Sequence, residues 1–322
     1  MSAYPQVRPF HREDRDQLTT LVNAHAAAVV PGATVSVNTV LSSLERCPDE
    51  YITDPWIAER TTLVAEHRQQ IVGAAHLLRY RNDPDVGEDY RDTGHIAWFV
   101  HNPGAFAGPD GEHPADLLMA ACLAQLTRWH VRARHTDGQL PAPGVTGVPE
   151  QWPHVRAVLE RAGFVHTGHT EILLIAAVAE LPAPGPAPLP GLTLHRTLGD
   201  LGTRLTARLA GEPVAHVELD TTLERPERHA RSGGVADIAD LVLPDDPHPG
   251  LLGWLLGEAG RWLALCGCDR VLAYADESDA GAEGGEIAAL TAHGFHELTR
   301  TARGWEHRPA RPAPSGPGGA RA

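Results

Sequence analysis

The chain has 322 residues, 42% of them hydrophobic and 21% charged, with a formal net charge of −14. That length holds two ordinary domains, each able to bury its own core, and the composition is that of a soluble globular protein. Binding a phosphate backbone needs clustered cationic side chains and a membrane-spanning helix needs about 18 apolar residues in a row, so neither nucleic acid nor a membrane is an expected partner.

The start, Met1 to Arg8, lacks the apolar stretch of a secretory signal and enters a strand directly, so a cytoplasmic location is expected. The opening strand Gln6–Phe10 leads into two helical patterns, Arg12–Ala28 and Val37–Glu45. A hairpin follows over Thr62–Leu77, with its turn near Gln70, and then an apolar strand, His95–Val100. A Gly- and Pro-rich loop, Asn102–Pro114, precedes a helix predicted over Ala115–Arg134, on which Leu117, Cys122, Leu126 and Trp129 recur near helical spacing. A further helix ends in Gly163-Phe164 before a closing strand that reaches Ile175.

The prolines of Leu181–Pro190 favour extended geometry and mark a linker. After it the order recurs: strand Gly191–Thr197, hairpin Arg204–Leu219, strand Val235–Leu243, helix Gly250–Cys266, then a helix ending in Gly294-Phe295 and a strand. The stretch holding two helices in the first half is missing from the second, where Leu194 and Glu212 stand where Arg8 and Gln70 do. This divides the chain into a first domain over 1–180, a linker over 181–190, a shortened second domain over 191–308 and a disordered tail over 309–322.

Cys47, Cys122, Cys266 and Cys268 do not form a disulfide framework, and no Cys or His pair follows Cys266-Gly-Cys268 at ligand spacing. No metal is expected. The net negative charge suits a cationic amine as substrate, although acidity also serves solubility.

This order resembles the GCN5-related N-acetyltransferase (GNAT) family, over about Val7–Ile175 and again over Leu192–His307. The resemblance implies an α/β fold of two tandem GNAT-like acyl-CoA N-acyltransferase units, mixed central sheets flanked by helices, with the second copy shortened. The segment Ala239–Leu256 looks like the family's coenzyme motif, in which a strand runs into a glycine-bearing helix start. By resemblance, main-chain donors at Leu241, Val242 and Leu243 hold the thioester carbonyl and pantetheine arm of acetyl-CoA. Gly250, Leu251, Leu252 and Gly253 then form the pyrophosphate bed, where backbone N–H groups and the helix's positive end face the phosphates.

The sequence also departs from that pattern. Pro247 stands where Arg or Gln is usual, His248 and Leu252 replace glycines, and Asp245 and Asp246 either oppose the pyrophosphate or cap the helix. In the first copy, Gly104, Gly108 and Gly111 occupy the corresponding loop, with His113 its one basic candidate. Leu159 and Leu290 replace the family's thiolate-protonating Tyr. Candidates for the base that takes the amine's proton are Asp237, Asp240 and Glu218, with Glu66 and His95 in comparable regions of the first copy. Strand alternation puts Asp237 and Asp240 on opposite faces.

The expected activity is direct transfer from acetyl-CoA, or a related acyl-CoA, to a primary amine of a small molecule or peptide. The alternative is a catalytically degenerate tandem GNAT acting as a coenzyme sensor or protein-binding scaffold. A homodimer is compatible with either.

Overall fold

A computed structural model describes residues 4–45, 54–105, 113–221, 234–278 and 285–308. Cys47, Gly108, Gly111 and the predicted tail lie outside these residues. The first half runs β1 (Gln6–Pro9), α1 (Arg15–Val29), α2 (Val37–Leu44), β2 (Ile57–His67), β3 (Gln70–Tyr80), β4 (Thr93–His101), α3 (Pro114–Arg128) and β5 (Ala133–Thr136). It continues through β6 (Val148–Pro149), α4 (Pro153–Arg161), β7 (Phe164–His166) and β8 (Thr170–Ala177). The second half holds β9 (Leu192–Leu198), β10 (Thr203–Leu209), β11 (Glu212–Asp220), β12 (Val235–Val242), α5 (Leu251–Leu265) and β13 (Arg270–Asp276). It closes with α6 (Glu286–Thr291), β14 (His296–Ala302) and β15 (Trp305–His307).

Local chemistry explains the boundaries. The β2–β3 hairpin closes through Arg68 and Gln69, at φ 52° and 66°, and the β10–β11 hairpin through Ala210 and Gly211, at φ 52° and 91°. Two successive positive-φ residues give the turn whose twist matches the flanking strands. Ser36 caps α2 by accepting from the Thr39 N–H. Helix α3 stops at Arg128, six residues before the expected end, because His130 adopts φ 54° and turns the chain toward β5. Between β9 and β10 only the short segment Gly199–Gly202 intervenes, so the second copy has no counterpart of α1 and α2.

The strands form two sheets that exchange strands. The first has the order β1-β2-β3-β4-β5-β15-β7, the second β6-β14-β8-β13-β12-β11-β10-β9. β15, from the end of the chain, fills a slot between β5 and β7, while β8, from the first half, lies between β14 and β13. One buried cluster therefore joins Trp305 and Ala302 to first-half residues such as Phe164 and Trp152, and the second joins Ile172 and Leu174 of β8 to Leu255 and Leu263 of α5. No described helix is long and apolar enough to cross a membrane.

Both sheets splay at the same place. β4 pairs in parallel with β5 only from Thr93 to His95, and β12 with β13 only from Val235 to Asp237. Beyond Asp237, β12 stays paired with β11 but leaves its other edge free of strand partners among the described residues.

Candidate active site

The two faces of β12 differ in character. Ala236 and Ile238 pack with Val217 and Leu219 of β11 into the core beneath α5. The other face carries Asp220 of β11 and Asp237 of β12, directly opposite each other in the register. In the first copy the matching face is covered by its own α1. In the second copy the cover comes from the first, as Val35, Thr39 and Ser43 around α2, with the segment Gln139–Pro143, close a cavity of about 240 Å³ over Asp220 and Asp237.

Asp237 is the best-placed of the candidate bases. Its Oδ1 accepts a hydrogen bond from the Tyr274 hydroxyl of β13 at 3.2 Å. Burial, reinforced by the neighbouring Asp220 charge, pushes the Asp237 carboxyl up to about 7, while the Tyr274 bond acts the other way. The same burial and the Asp237 charge raise the Tyr274 phenol well above its ordinary value. A carboxyl titrating near neutrality can both take a proton and release it at working pH.

The other two second-copy candidates are engaged elsewhere. The Glu218 carboxylate is 1% exposed, accepts from Arg204 Nε at 2.7 Å and from the Gly202 N–H at 3.0 Å, and also bonds the Leu201 N–H. It holds the β9–β10 turn down on β11; a Cβ at Gly199 would fall 2.2 Å from its Cδ. Asp240 Oδ2 lies 2.6 Å from His216 Nε2. The expectation of opposite faces for Asp237 and Asp240 is corrected by a register shift. Leu219 pairs Ile238 but Glu218 pairs Asp240, so the extra residue, Ala239, returns Asp240 to the face of Asp237. Asp237 alone of the two lines the cavity.

A second cavity, of about 440 Å³, lies where β12 runs into α5. Leu241, Leu243, Gly250, Leu252 and Gly253 line it, with His293 of the α6 C-terminal turn opposite. Val242 is 45% exposed and Leu251 2% exposed, and neither lines the cavity. Gly250 takes φ 89° as the N-cap of α5, a conformation that favours glycine. A Cβ at Gly253 would lie 2.9 Å from His293 Nε2, so that glycine keeps the helix start open beside the imidazole. First-turn amides have no intrahelical acceptor. The Leu251 N–H turns back to the His248 carbonyl, which leaves Leu252 and Gly253 as the donors of that turn. The free β12 edge and this helix start suit a thioester arm and a diphosphate, whereas Asp245 and Glu286 on the rim oppose one, and no Arg lines the wall among the described residues.

The first copy uses its candidates differently. Glu66 pairs with Arg8 at 2.8 Å. His95 is half-buried and packs against Tyr80 and Tyr90, and desolvation there lowers it to about 3. Of its glycines, Gly104 N–H donates to Asn102 Oδ1 in a tight turn. Leu159 and Leu290, at the positions of the family's Tyr, are core residues with 1% and 0% exposure. Sequence reasoning missed Asp220, Tyr274, Thr39 and Ser43. Only the register brings Asp220 opposite Asp237, and only the packing of the halves brings α2 over both.

No family model matches the sequence, and no curated protein matches it. Among solved structures, the chain is similar to a tandem GNAT protein from the clavulanic acid biosynthesis pathway, described without acetyl-CoA. That likeness has a TM-score of 0.63 and 17% identity, and covers 95% of this chain and 100% of that one. It is also similar to a GCN5-related N-acetyltransferase from Sphaerobacter thermophilus, with a TM-score of 0.60, 13% identity and coverage of 95% and 97%. At such identities the likeness establishes the fold, which is the tandem GNAT fold.

Proposed function

We propose that on this tandem GNAT fold the second copy is the working centre of an acyl-CoA-dependent N-acyltransferase, with acetyl-CoA as donor and a small primary amine as acceptor. The observation that carries the reading is the position of Asp237. It is the last residue of β12 paired with β13, it faces the cavity between the copies, and the strand's free edge continues from it toward Leu241 and the start of α5.

A primary amine arrives as an ammonium ion, which the facing carboxyls of Asp220 and Asp237 attract. Asp237 accepts its proton, and the freed lone pair attacks the thioester carbonyl carbon. As the C–N bond forms, N–H groups on the free edge of β12 stabilise the oxygen's negative charge. Breaking the C–S bond releases coenzyme A as its thiolate, which takes up the second proton shed by the nitrogen as the amide forms, while Asp237 returns the first to solvent. The apolar leucines at Leu241 and Leu243 keep water from competing with the amine. Tyr274 orients the Asp237 carboxyl and holds its titration near neutrality.

The test is thiol release from acetyl-CoA in the presence of a panel of small primary amines. Asp237→Asn is expected to retain acetyl-CoA binding and to lose turnover by about 10²–10⁴-fold. Turnover equal to that of the unmodified chain would refute the assignment.

A further inference from the structure

The two sheets protect their edges unequally. In the first, β1 follows Pro5 and ends in Pro9 after four residues, and β7 has three. At one end of the second sheet β6 has two residues, but at the other β9 has seven, with neither proline nor bulge. Shortness, proline and bulges are what keep a sheet edge from adding a foreign strand, and β9 has none of them. Its residues Thr193 and His195 to Leu198 are exposed, and no described strand pairs with its outer side.

The main-chain groups on that outer side follow from the turn. Gly199 N–H donates to the Gly202 carbonyl at 2.8 Å and closes the β9–β10 connection. Alternation from this pair directs the groups of Thr193, His195 and Thr197 toward β10 and those of Leu194, Arg196 and Leu198 outward. Leu192 also points outward, and its N–H returns to the Leu189 carbonyl at 3.2 Å, which leaves its own carbonyl for the edge.

The strand reads Leu-Thr-Leu-His-Arg-Thr-Leu, a palindrome about His195 but for the Leu194 and Arg196 pair. We infer that β9 pairs antiparallel with β9 of a second copy of this chain, about a two-fold axis through His195. Leu194 then faces the partner's Arg196, and the two exchange N–H and carbonyl in both directions. Leu198 N–H reaches the carbonyl of the partner's Leu192. On the opposite face Thr193 stands across from the partner's Thr197, a favourable cross-strand pair, and the two His195 rings flank the axis. A slip of one residue would set outward groups against inward ones. Centring on Arg196 would oppose two guanidiniums, and centring on Leu194 would place Leu198 against the partner's Pro190, outside the strand.

Side chains supply the apolar part of the contact. Arg196 stacks on Trp262 at 4.2 Å and so brings the last turn of α5 to this edge. Leu198, two residues beyond Arg196 on the same face, is 84% exposed, and Leu265, one helical turn beyond Trp262, is 75% exposed. These leucines border the unpaired edge, where a second copy covers them. Asp237 is on β12, with β10 and β11 between it and the interface, so the pairing is independent of the proposed chemistry.

The experiment is sedimentation velocity of the full chain from about 1 μM to about 500 μM, joined to oxidative cross-linking. An interface at the small end of the range for specific complexes gives a reversible dimer with a Kd of about 10–100 μM. Leu198→Pro removes an outward N–H and an exposed leucine but no bond to β10, so the chain stays folded and Kd rises about tenfold or more. Register is read with cysteines, because partners in a non-hydrogen-bonded pair approach to a Cα separation of about 4.5 Å, within disulfide reach. With oxidised dithiothreitol, His195→Cys links to itself above any linking of the unmodified chain, whereas Thr193→Cys and Thr197→Cys link only when mixed. A chain that remains monomeric at the highest concentration would overturn the inference, as would an unweakened dimer in folded Leu198→Pro. So would a dimer in which His195→Cys stays unlinked, which would place the contact elsewhere.

Discussion

Tyr274 on β13 donates its hydroxyl to Asp237 on β12 at 3.2 Å, at the rung where the two strands part. The bond favours the ionised carboxylate, while burial and Asp220 disfavour it. The pH profile of kcat/KM is therefore expected to rise with a limb near 7. Tyr274→Phe should move that limb to higher pH, because it removes the one influence that lowers the carboxyl. A limb that stays in place would show that Asp237 is not the group being titrated.

Asp237 also carries a stability signature. Its carboxyl titrates higher in the folded chain than in the unfolded one, so stability falls as pH rises from about 4 to about 7. Asp237→Asn is expected to stabilise the chain at pH 8 by on the order of 1–3 kcal/mol and to leave it little changed at pH 4. Denaturant melts at the two pH values check this.

Desolvated histidines act with the opposite sign. His76 and His95 are both lowered to about 3 by desolvation. Their contribution is present above the unfolded value near 6.5 and is lost as pH falls below it, by up to about 1.4 kcal/mol per pH unit for each. His76, whose Nδ1 meets Thr62 Oγ1 at 2.9 Å, is the cleaner probe. His76→Gln should flatten the loss of stability between pH 6.5 and pH 4.5 in denaturant unfolding.

Glu218 holds the fold rather than the chemistry. Removing its charge leaves Arg204 and the Leu201 and Gly202 amides with a weaker acceptor. Glu218→Gln is expected to cost about 2–4 kcal/mol of stability while kcat of the folded fraction is retained. A large fall in kcat at unchanged Tm would instead place this carboxylate in the reaction.

Strand exchange makes the halves interdependent. Polypeptides 1–180 and 191–322 made separately should each lack cooperative unfolding and recover it when mixed, because β15 completes the first sheet and β8 the second. Trp305, 2% exposed, anchors that exchange, and Trp305→Ala is expected to cost about 3–5 kcal/mol. A cooperative melt from either half alone would contradict this.

The repeat, the elements and the second copy's missing helices were legible because hydrophobic period, Gly-Phe helix ends and the proline run are local signals. The end of α3 was not, since nothing in the sequence marks His130 as a left-handed residue. The strand exchange was hidden for a different reason. β8 and β15 carry patterns that suit either sheet, and partner choice is made by packing across residues far apart in the chain. Of the residues lining the 440 Å³ cavity, Gly250 and Leu241 were readable from the strand-to-helix pattern. The shared face of Asp237 and Asp240 depended on a bulge at Ala239, and the lid of Thr39 and Ser43 on the docking of the two copies.

In the proposed function, the free edge of β12 and the start of α5 hold the coenzyme. Calorimetric titration of acetyl-CoA into the unmodified chain and into Gly250→Trp tests it most directly. One binding event is expected, lost or weakened by about 100-fold in the variant, which stays folded with a Tm lowered by the left-handed φ at this position. Undiminished binding in a folded Gly250→Trp chain would contradict it.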